Sequence, residues 1–266
     1  MQKAVIENTA IPVSRLSMGT ASLHLLFSSV QRQKLIQASA TAGITHFDTS
    51  PYYGYGLAET DLGVFLRGQR AAYTVTTKVG LYPWRATSSR AASVWARKAL
   101  GRFVPSVALP VVNWQVGRAQ ESLRQSLRRL KTDYVDFVFL HEPALELIDT
   151  DEFMRWIEAE HDRGTVRSWG LAGVADRVSA WVATGHPLAR VIQTQDSLDK
   201  RQADFMCSAG RSFQFTYGYL SSQLRTGQVV NPEVLLRKAL MRNSTGSIIV
   251  STRRVDRITQ LARLAS

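Results

Sequence analysis

Little in this 266-residue chain could cross-link it or carry it through a membrane. Cys207 is the only cysteine, which excludes an internal disulfide and makes a reducing, cytoplasmic setting the simplest expectation. No run approaches the ~18 uninterrupted apolar residues of a membrane span. The opening Met-Gln-Lys-Ala-Val-Ile-Glu-Asn has no apolar core of signal-peptide length. Internal repeats, low-complexity linkers and an obvious domain boundary are all missing, so one domain over residues 1–266 is expected. Acid is scarce as well: 33 Lys/Arg stand against 21 Asp/Glu, a net charge of +12. Between Leu81 and Lys131 ten basic residues face the single acid Glu121, and that stretch alone carries +9. Such charge attracts phosphates, nucleic acid or acidic membranes. No recognised nucleic-acid motif accompanies it, so solvated helix faces are the expected explanation and nucleic acid is not an expected partner.

What the chain does have is apolar material, 45% of its residues, ample for a full core. It is distributed in short β-rich runs: Leu16–Thr20, Ile44–Thr49, Ala72–Gly80, Tyr134–Glu142, Val166–Gly173, Arg190–Gln195, Ser212–Gly218 and Ser247–Thr252. These runs are nearly continuous in apolar and β-branched residues, as strands buried on both faces are. Helical patterns separate them. Ser28 with Gln31 reads as a capping box, and Gly43 suits the position just past that helix. Val116, Ala119, Leu123, Leu127 and Leu130 form one apolar stripe with arginines opposite, and Phe153, Trp156 and Ile157 repeat the pattern before Gly164. Eight strands alternating with helices predict an α/β fold, a (β/α)₈ TIM barrel. The competing doubly wound sheet lacks its Gly-x-Gly-x-x-Gly turn after the first strand.

Leu81–Gln115 interrupts this rhythm. It holds Trp84, Trp95 and Trp114 with Pro83, Pro105 and Pro110, is too long for an ordinary connection, and is expected to be partly helical around Ser93–Arg102.

Catalytic groups of a barrel sit where its strands meet the following loops. Asp48, Lys78 and His141 close three consecutive strand runs, and Tyr53 lies in the Pro/Tyr/Gly-rich loop five residues beyond Asp48. Each alone could be a cap, a surface lysine, a satisfied core histidine or a packed loop aromatic. Together they make an acid, an ammonium, an imidazole and a phenol on neighbouring units.

This constellation resembles the aldo-keto reductase superfamily over almost the whole chain. Ser14-Arg-Leu-Ser-Met-Gly-Thr20 is similar to the family's first strand. Asp48-Thr-Ser-Pro-Tyr-Tyr-Gly54, with Glu59 and Gly63, is similar to its Asp-Thr-Ala-x-x-Tyr-Gly signature. Arg163-Gly-Thr-Val-Arg-Ser-Trp-Gly170 matches the approach to its fifth strand. The resemblance implies an NADP(H)-dependent oxidoreductase that interconverts a carbonyl and an alcohol, with Asp48, Tyr53, Lys78 and His141 as catalytic residues. Tyr53 would exchange the proton, Lys78 would lower its pKa from the usual ~10, Asp48 would hold Lys78, and His141 would orient the carbonyl. A small carbonyl compound or a sugar is the implied substrate. The alternatives are a sugar or polyol dehydrogenase running oxidatively and a non-catalytic NADP(H)-binding regulatory subunit.

The same resemblance implies a cofactor pocket from Gly19, Thr20, Asp48, Gln193, Tyr217, Ser251, Thr252, Arg253 and Arg257. Of these, Ser251-Thr-Arg-Arg-Val-Asp-Arg257 opens a helix rich in arginines and hydroxyls, a phosphate-binding composition. The chain departs from the family in two places. Ala172 and Gly173 replace a Ser-Asn pair that holds the nicotinamide carboxamide, and Gln260 and Leu261 replace a Glu-Asn pair near the adenine. The 81–115 insert is expected to supply part of the substrate wall.

Overall fold

The computed structural model describes residues 1–83, 92–94, 96, 109–224 and 231–266. The chain opens with an antiparallel hairpin, β1 (Lys3–Val5) and β2 (Pro12–Ser14), that the sequence pattern did not reveal. All eight expected runs then become strands: β3 (Leu16–Gly19), β4 (His46–Asp48), β5 (Thr74–Val79), β8 (Val135–His141), β9 (Val166–Gly173), β10 (Val191–Gln195), β11 (Phe215–Tyr217) and β12 (Ser247–Val250). A second hairpin, β6 (Leu81–Pro83) with β7 (Pro110–Val112), starts and ends the irregular segment. The eight strands close into a parallel barrel in the order β3-β4-β5-β8-β9-β10-β11-β12, and β12 pairs back to β3. This is the expected (β/α)₈ barrel, and helices such as α1 (Ser29–Thr41), α2 (Leu57–Leu66), α3 (Val116–Leu130) and α4 (Thr150–Asp162) run between its strands.

The helices bury the faces their periodicity marks. In α3, Val116, Ala119, Leu123 and Leu130 are buried. One of its arginines is spent inside the molecule, Arg129 pairing with buried Glu59 at 2.7 Å, whereas the exposed Arg118 stacks on Tyr82 and the exposed Arg124 pairs with Glu121. In α4, Phe153, Trp156 and Ile157 are buried, and Asp149 caps the helix by accepting from the Glu152 N–H at 2.9 Å. Ser28 does precede α1, but its side chain makes no capping bond, so the expected box does not form. Gly43 follows that helix with φ +91, as expected of a residue that must turn left-handed. Of the helix expected around Ser93–Arg102, residues 92–94 and 96 are helical, and the rest lies outside the described residues.

The unforeseen hairpin has a packing reason. Ile6, Ile11 and Val13 are buried in one cluster with the barrel-lining Phe137, Phe139, Val191 and Phe215. Asn8 reaches the Arg190 carbonyl and Glu7 the Ser212 N–H, at the starts of β10 and β11. The hairpin therefore plugs the end of the barrel where the strands begin, and leaves the opposite end for chemistry. Three-residue strands are too short to leave a period-two signature.

His46 lies in this aromatic interior, fully buried, stacked on Phe215 at 4.9 Å between ring centroids and bonded to Thr74 Oγ1 (2.8 Å) and Thr76 Oγ1 (3.2 Å). Burial, with the charges of Lys78 and Arg70, pushes its pKa down to about 3. An imidazole held neutral in the fold stabilises fully above its unfolded value near 6.5 and loses that contribution as pH falls from there toward 3. The stability difference between wild type and His46→Gln should therefore shrink by about 1.4 kcal/mol per pH unit below ~6.5. Urea unfolding of both proteins at pH 7, 6 and 5 measures this, and a constant difference would contradict it.

Candidate active site

Strand register brings the polar strand ends together. Asp48 is level with Thr76, and Lys78 lies two residues further along the same face of β5. Lys78 is level with Phe139, and His141 follows two residues later on β8. His141 is level with Ala172, and Ala172 with Gln193. The first two steps advance by two residues, as barrel shear requires, and the last two are level, so one inward face carries Asp48, Lys78, His141 and Gln193 to the C-terminal mouth. Asp48, Tyr53, Lys78, His141, Gln193, Tyr217 and Ser251 all line one cavity of about 350 Å³ there, a size suited to a small-molecule site.

Lys78 and Asp48 form a buried ion pair. Lys78 Nζ is 2.5 Å from Asp48 Oδ1 and also donates to the Thr49 carbonyl at 3.0 Å. The lysine is 1% and the aspartate 3% exposed. Burial works against both charges: it lowers the Lys78 pKa and raises that of Asp48, and each partner offsets the other's shift. Thr20 holds the acid's backbone, with both its N–H and Oγ1 donating to the Asp48 carbonyl at 2.9 and 3.0 Å.

Tyr53 begins a tight turn, Tyr53–Gly56, in which Gly54 and Tyr55 adopt φ of 59 and 55. A side chain at position 54 would meet His24 Cβ at 2.6 Å, so glycine is required there. The Tyr53 ring stands edge-on to His141, 6.0 Å between centroids at 85°, and Lys78 Nζ lies 4.9 Å from its centre. Tyr52 and Tyr55 instead pack on each other and beside Leu57 and Val94. The phenol does not behave as expected from its lysine neighbour. Burial, reinforced by the carboxylate of Asp48, the neighbouring Tyr217 phenol and the carboxylate of Glu142, holds its pKa well above 10. The ammonium is committed to Asp48, so the phenol keeps its proton.

His141 is neutral: burial and the Lys78 charge push its pKa down to about 3. Its Nδ1 is buried without a hydrogen-bond partner among the described residues, as is Oε1 of Gln193. The unpartnered Gln193 Oε1 on the cavity wall is a group that a ligand would satisfy, and the unpartnered Nδ1 leaves Nε2 as the ring nitrogen available to the cavity.

The remaining expected cofactor residues lie apart from this wall. Gly19 ends β3, where an added Cβ would sit 2.6 Å from Ser251 Oγ, and that hydroxyl donates to the Gly19 carbonyl at 3.0 Å. Thr252, Arg253 and Arg257 are at the entrance to the helix α9 (Val255–Ala262), outside the cavity lining. Arg253 is exposed, while its neighbour Arg254 is paired with Asp256. Ala172 and Gly173 line the cavity, as do two groups the sequence did not flag, Glu142 and Tyr219. Glu142 could have been found by the strand-end rule that found His141, since it is the next residue.

Comparison with known proteins agrees with this fold. The aldo-keto reductase YhdN of Bacillus subtilis is 24% identical over 240 residues, covering 86% of this chain and 65% of the relative. The L-galactose dehydrogenase of Arabidopsis thaliana is 27% identical over 175 residues, covering 63% of this chain and 47% of the relative. The chain thus spans about half to two thirds of the length of these curated relatives. Among solved structures, an aldo-keto reductase of Bacillus halodurans superposes with a TM-score of 0.75 at 18% identity, covering 100% of this chain and 91% of the other, and so shares the fold. The model of the Aldo/keto reductase family matches residues 15–198, well over half of the sequence, and the chain belongs to that family.

Proposed function

We propose that this barrel is an oxidoreductase that interconverts a carbonyl and an alcohol with a nicotinamide dinucleotide, NADP(H) in preference to NAD(H), and that Tyr53 is its general acid and base. The observation that carries this reading is the convergence of Tyr53, His141 and the Lys78–Asp48 pair on one cavity, beside the unpartnered amide oxygen of Gln193. The bound dinucleotide supplies or accepts the hydride, chemistry that no side chain here can perform.

The chain's own residues account for the rest. As negative charge develops on the substrate oxygen, that oxygen becomes more basic than a phenolate. A tyrosine whose pKa is held high is then a stable reservoir of the proton, surrendered only when that charge appears. His141, neutral at working pH, carries one ring proton. With Nδ1 lacking a partner, the less costly tautomer places that proton on Nε2, which can donate to the carbonyl oxygen and fix its direction. Lys78 contributes positive charge beneath the phenol, and Asp48 fixes its position. Gln193 Oε1 is an acceptor suited to the nicotinamide carboxamide, and Tyr217, at the end of β11, offers an aromatic face for the ring. Thr252, Arg253 and Arg257 at the start of α9 would hold the adenosine phosphate, where a helix N-terminus and guanidinium groups both favour an anion.

The reverse reaction, oxidation of a sugar or polyol, uses the same groups with the proton flow inverted. Relatives named L-galactose dehydrogenase, D-threo-aldose 1-dehydrogenase and D-arabinose 1-dehydrogenase support that direction. Fluorescence titration with NADPH and NADH, followed by a panel of carbonyls and sugars, tests the proposal. NADPH should bind about tenfold or more tightly than NADH, in line with one charge-assisted phosphate contact, and turnover should follow. Tight binding with no turnover on any substrate would move the chain to a regulatory role.

A further inference from the structure

We propose that Glu142 sets the specificity of this site: its carboxylate accepts hydrogen bonds from hydroxyl groups beside the reacting carbon, and the substrate is accordingly a polyhydroxylated aldehyde or alcohol of the sugar or polyol class. This inference rests on the oxidoreductase reading above and adds a residue and a substrate class to it.

Glu142 directly follows His141 and lines the same cavity as Tyr53 and Lys78. Its backbone is left-handed, with φ +52, and its N–H donates to the Ala172 carbonyl at 2.7 Å. That conformation is unfavourable for a residue with a Cβ, and the bond to Ala172 holds it in place.

The carboxylate has capacity to spare. Among the described residues its hydrogen bond is a long one, 3.3 Å from the Val174 N–H to Oε2, whereas an ionised carboxylate offers about four acceptor positions. Arg177 exerts an electrostatic pull but makes no ion pair with it among the described residues. Burial consequently raises the Glu142 pKa. The charge acts on both the Tyr53 and Tyr217 phenols, raising each, which puts the carboxylate in the field of the two rings that flank the reaction space. Gly173 makes the room: a Cβ there would lie 3.0 Å from Glu142 Oε2.

A half-buried acceptor facing the reaction space discriminates by chemistry. Hydroxyl groups next to the carbonyl satisfy it. A simple alkyl carbonyl strips it of water and returns nothing, which penalises that substrate. A carboxylate-bearing substrate is repelled.

The test compares 2,3-dihydroxypropanal with propanal, substrates that differ only in the two hydroxyls. Wild type should favour the dihydroxy aldehyde by about 10²-fold or more in kcat/KM, and Glu142→Gln should cut that ratio by about tenfold or more. Any change in Tyr53 acidity caused by the lost charge affects both aldehydes and cancels in the ratio. A ratio unchanged by Glu142→Gln overturns the proposal. So does weaker NADPH binding with that ratio intact, which would assign the carboxylate to the cofactor. Saturation-transfer NMR of glycerol against 1-propanol, on both proteins with and without NADP⁺, requires no turnover. Glycerol preference lost in Glu142→Gln supports the assignment, and its persistence or absence in wild type counts against it. If neither aldehyde reacts with wild type, the oxidoreductase reading fails, and the NMR comparison still decides the role of Glu142.

Discussion

Tyr53→Phe should lower kcat by about 10³- to 10⁴-fold, the range of a positioned proton donor, while leaving the NADPH dissociation constant within about twofold. The substitution is nearly pure in its chemistry. The ring that stands edge-on to His141 and over Lys78 remains, so packing and the Lys78–Asp48 pair are kept and the hydroxyl alone is lost. Tyr52→Phe and Tyr55→Phe serve as controls, because those rings pack on each other away from His141. Both should retain activity within a few-fold. Single-turnover rates with NADPH separate chemistry from binding. Full activity in Tyr53→Phe would remove the phenol from the mechanism, and loss of NADPH binding would make Tyr53 a cofactor contact.

The choice among these three tyrosines illustrates what a sequence can carry. The strands of the barrel were legible because burial on both faces leaves continuous apolar runs, and Val166–Gly173 was recovered to the residue. Elsewhere the runs overshot by one to three residues at an end, as in Ser212–Gly218 against the observed Phe215–Tyr217, because residue type alone does not mark where the last ladder bond falls. Asp48 and His141 were legible for the opposite reason, as abrupt polar stops to apolar runs, and Lys78 as a charge one residue before the end of its strand. Glu142 obeys the same rule, yet its meaning depends on a positive φ and on the space beside Gly173, and neither is written in its residue type. The phenol's acidity departs from the expectation because burial opposes its ionisation, and Asp48, which holds the lysine at 2.5 Å, adds to that opposition. Thr20, expected at the cofactor, donates its hydroxyl to the Asp48 carbonyl, a backbone contact that residue type does not announce.

Lys78→Met should damage stability and catalysis together, and the two losses can be separated. Without the ammonium, Asp48 becomes a carboxylate only 3% exposed, its charge opposed by little more than the Gln193 amide. Breaking a buried pair on one side costs about 3–5 kcal/mol. The pH dependence has a definite sign. Burial raises the folded pKa of Asp48, and the variant raises it further, so the penalty is complete where the group is ionised in both states. It recedes as pH falls through the raised folded value and vanishes near the unfolded value of about 3.9. Denaturant unfolding should thus find Lys78→Met far weaker than wild type at pH 8 and closer to it at pH 5. Adding Asp48→Asn removes the orphaned charge and should restore most of the lost stability, since a buried ion pair replaced on both sides costs little. Activity should not return: the double variant still lacks the positive charge beneath Tyr53, and a kcat about 10²-fold or more below wild type is expected, within the range for a group supporting proton transfer. A double variant that regains both stability and turnover would reduce the Lys78–Asp48 pair to a structural brace, leaving Tyr53 and His141 to do the chemistry alone.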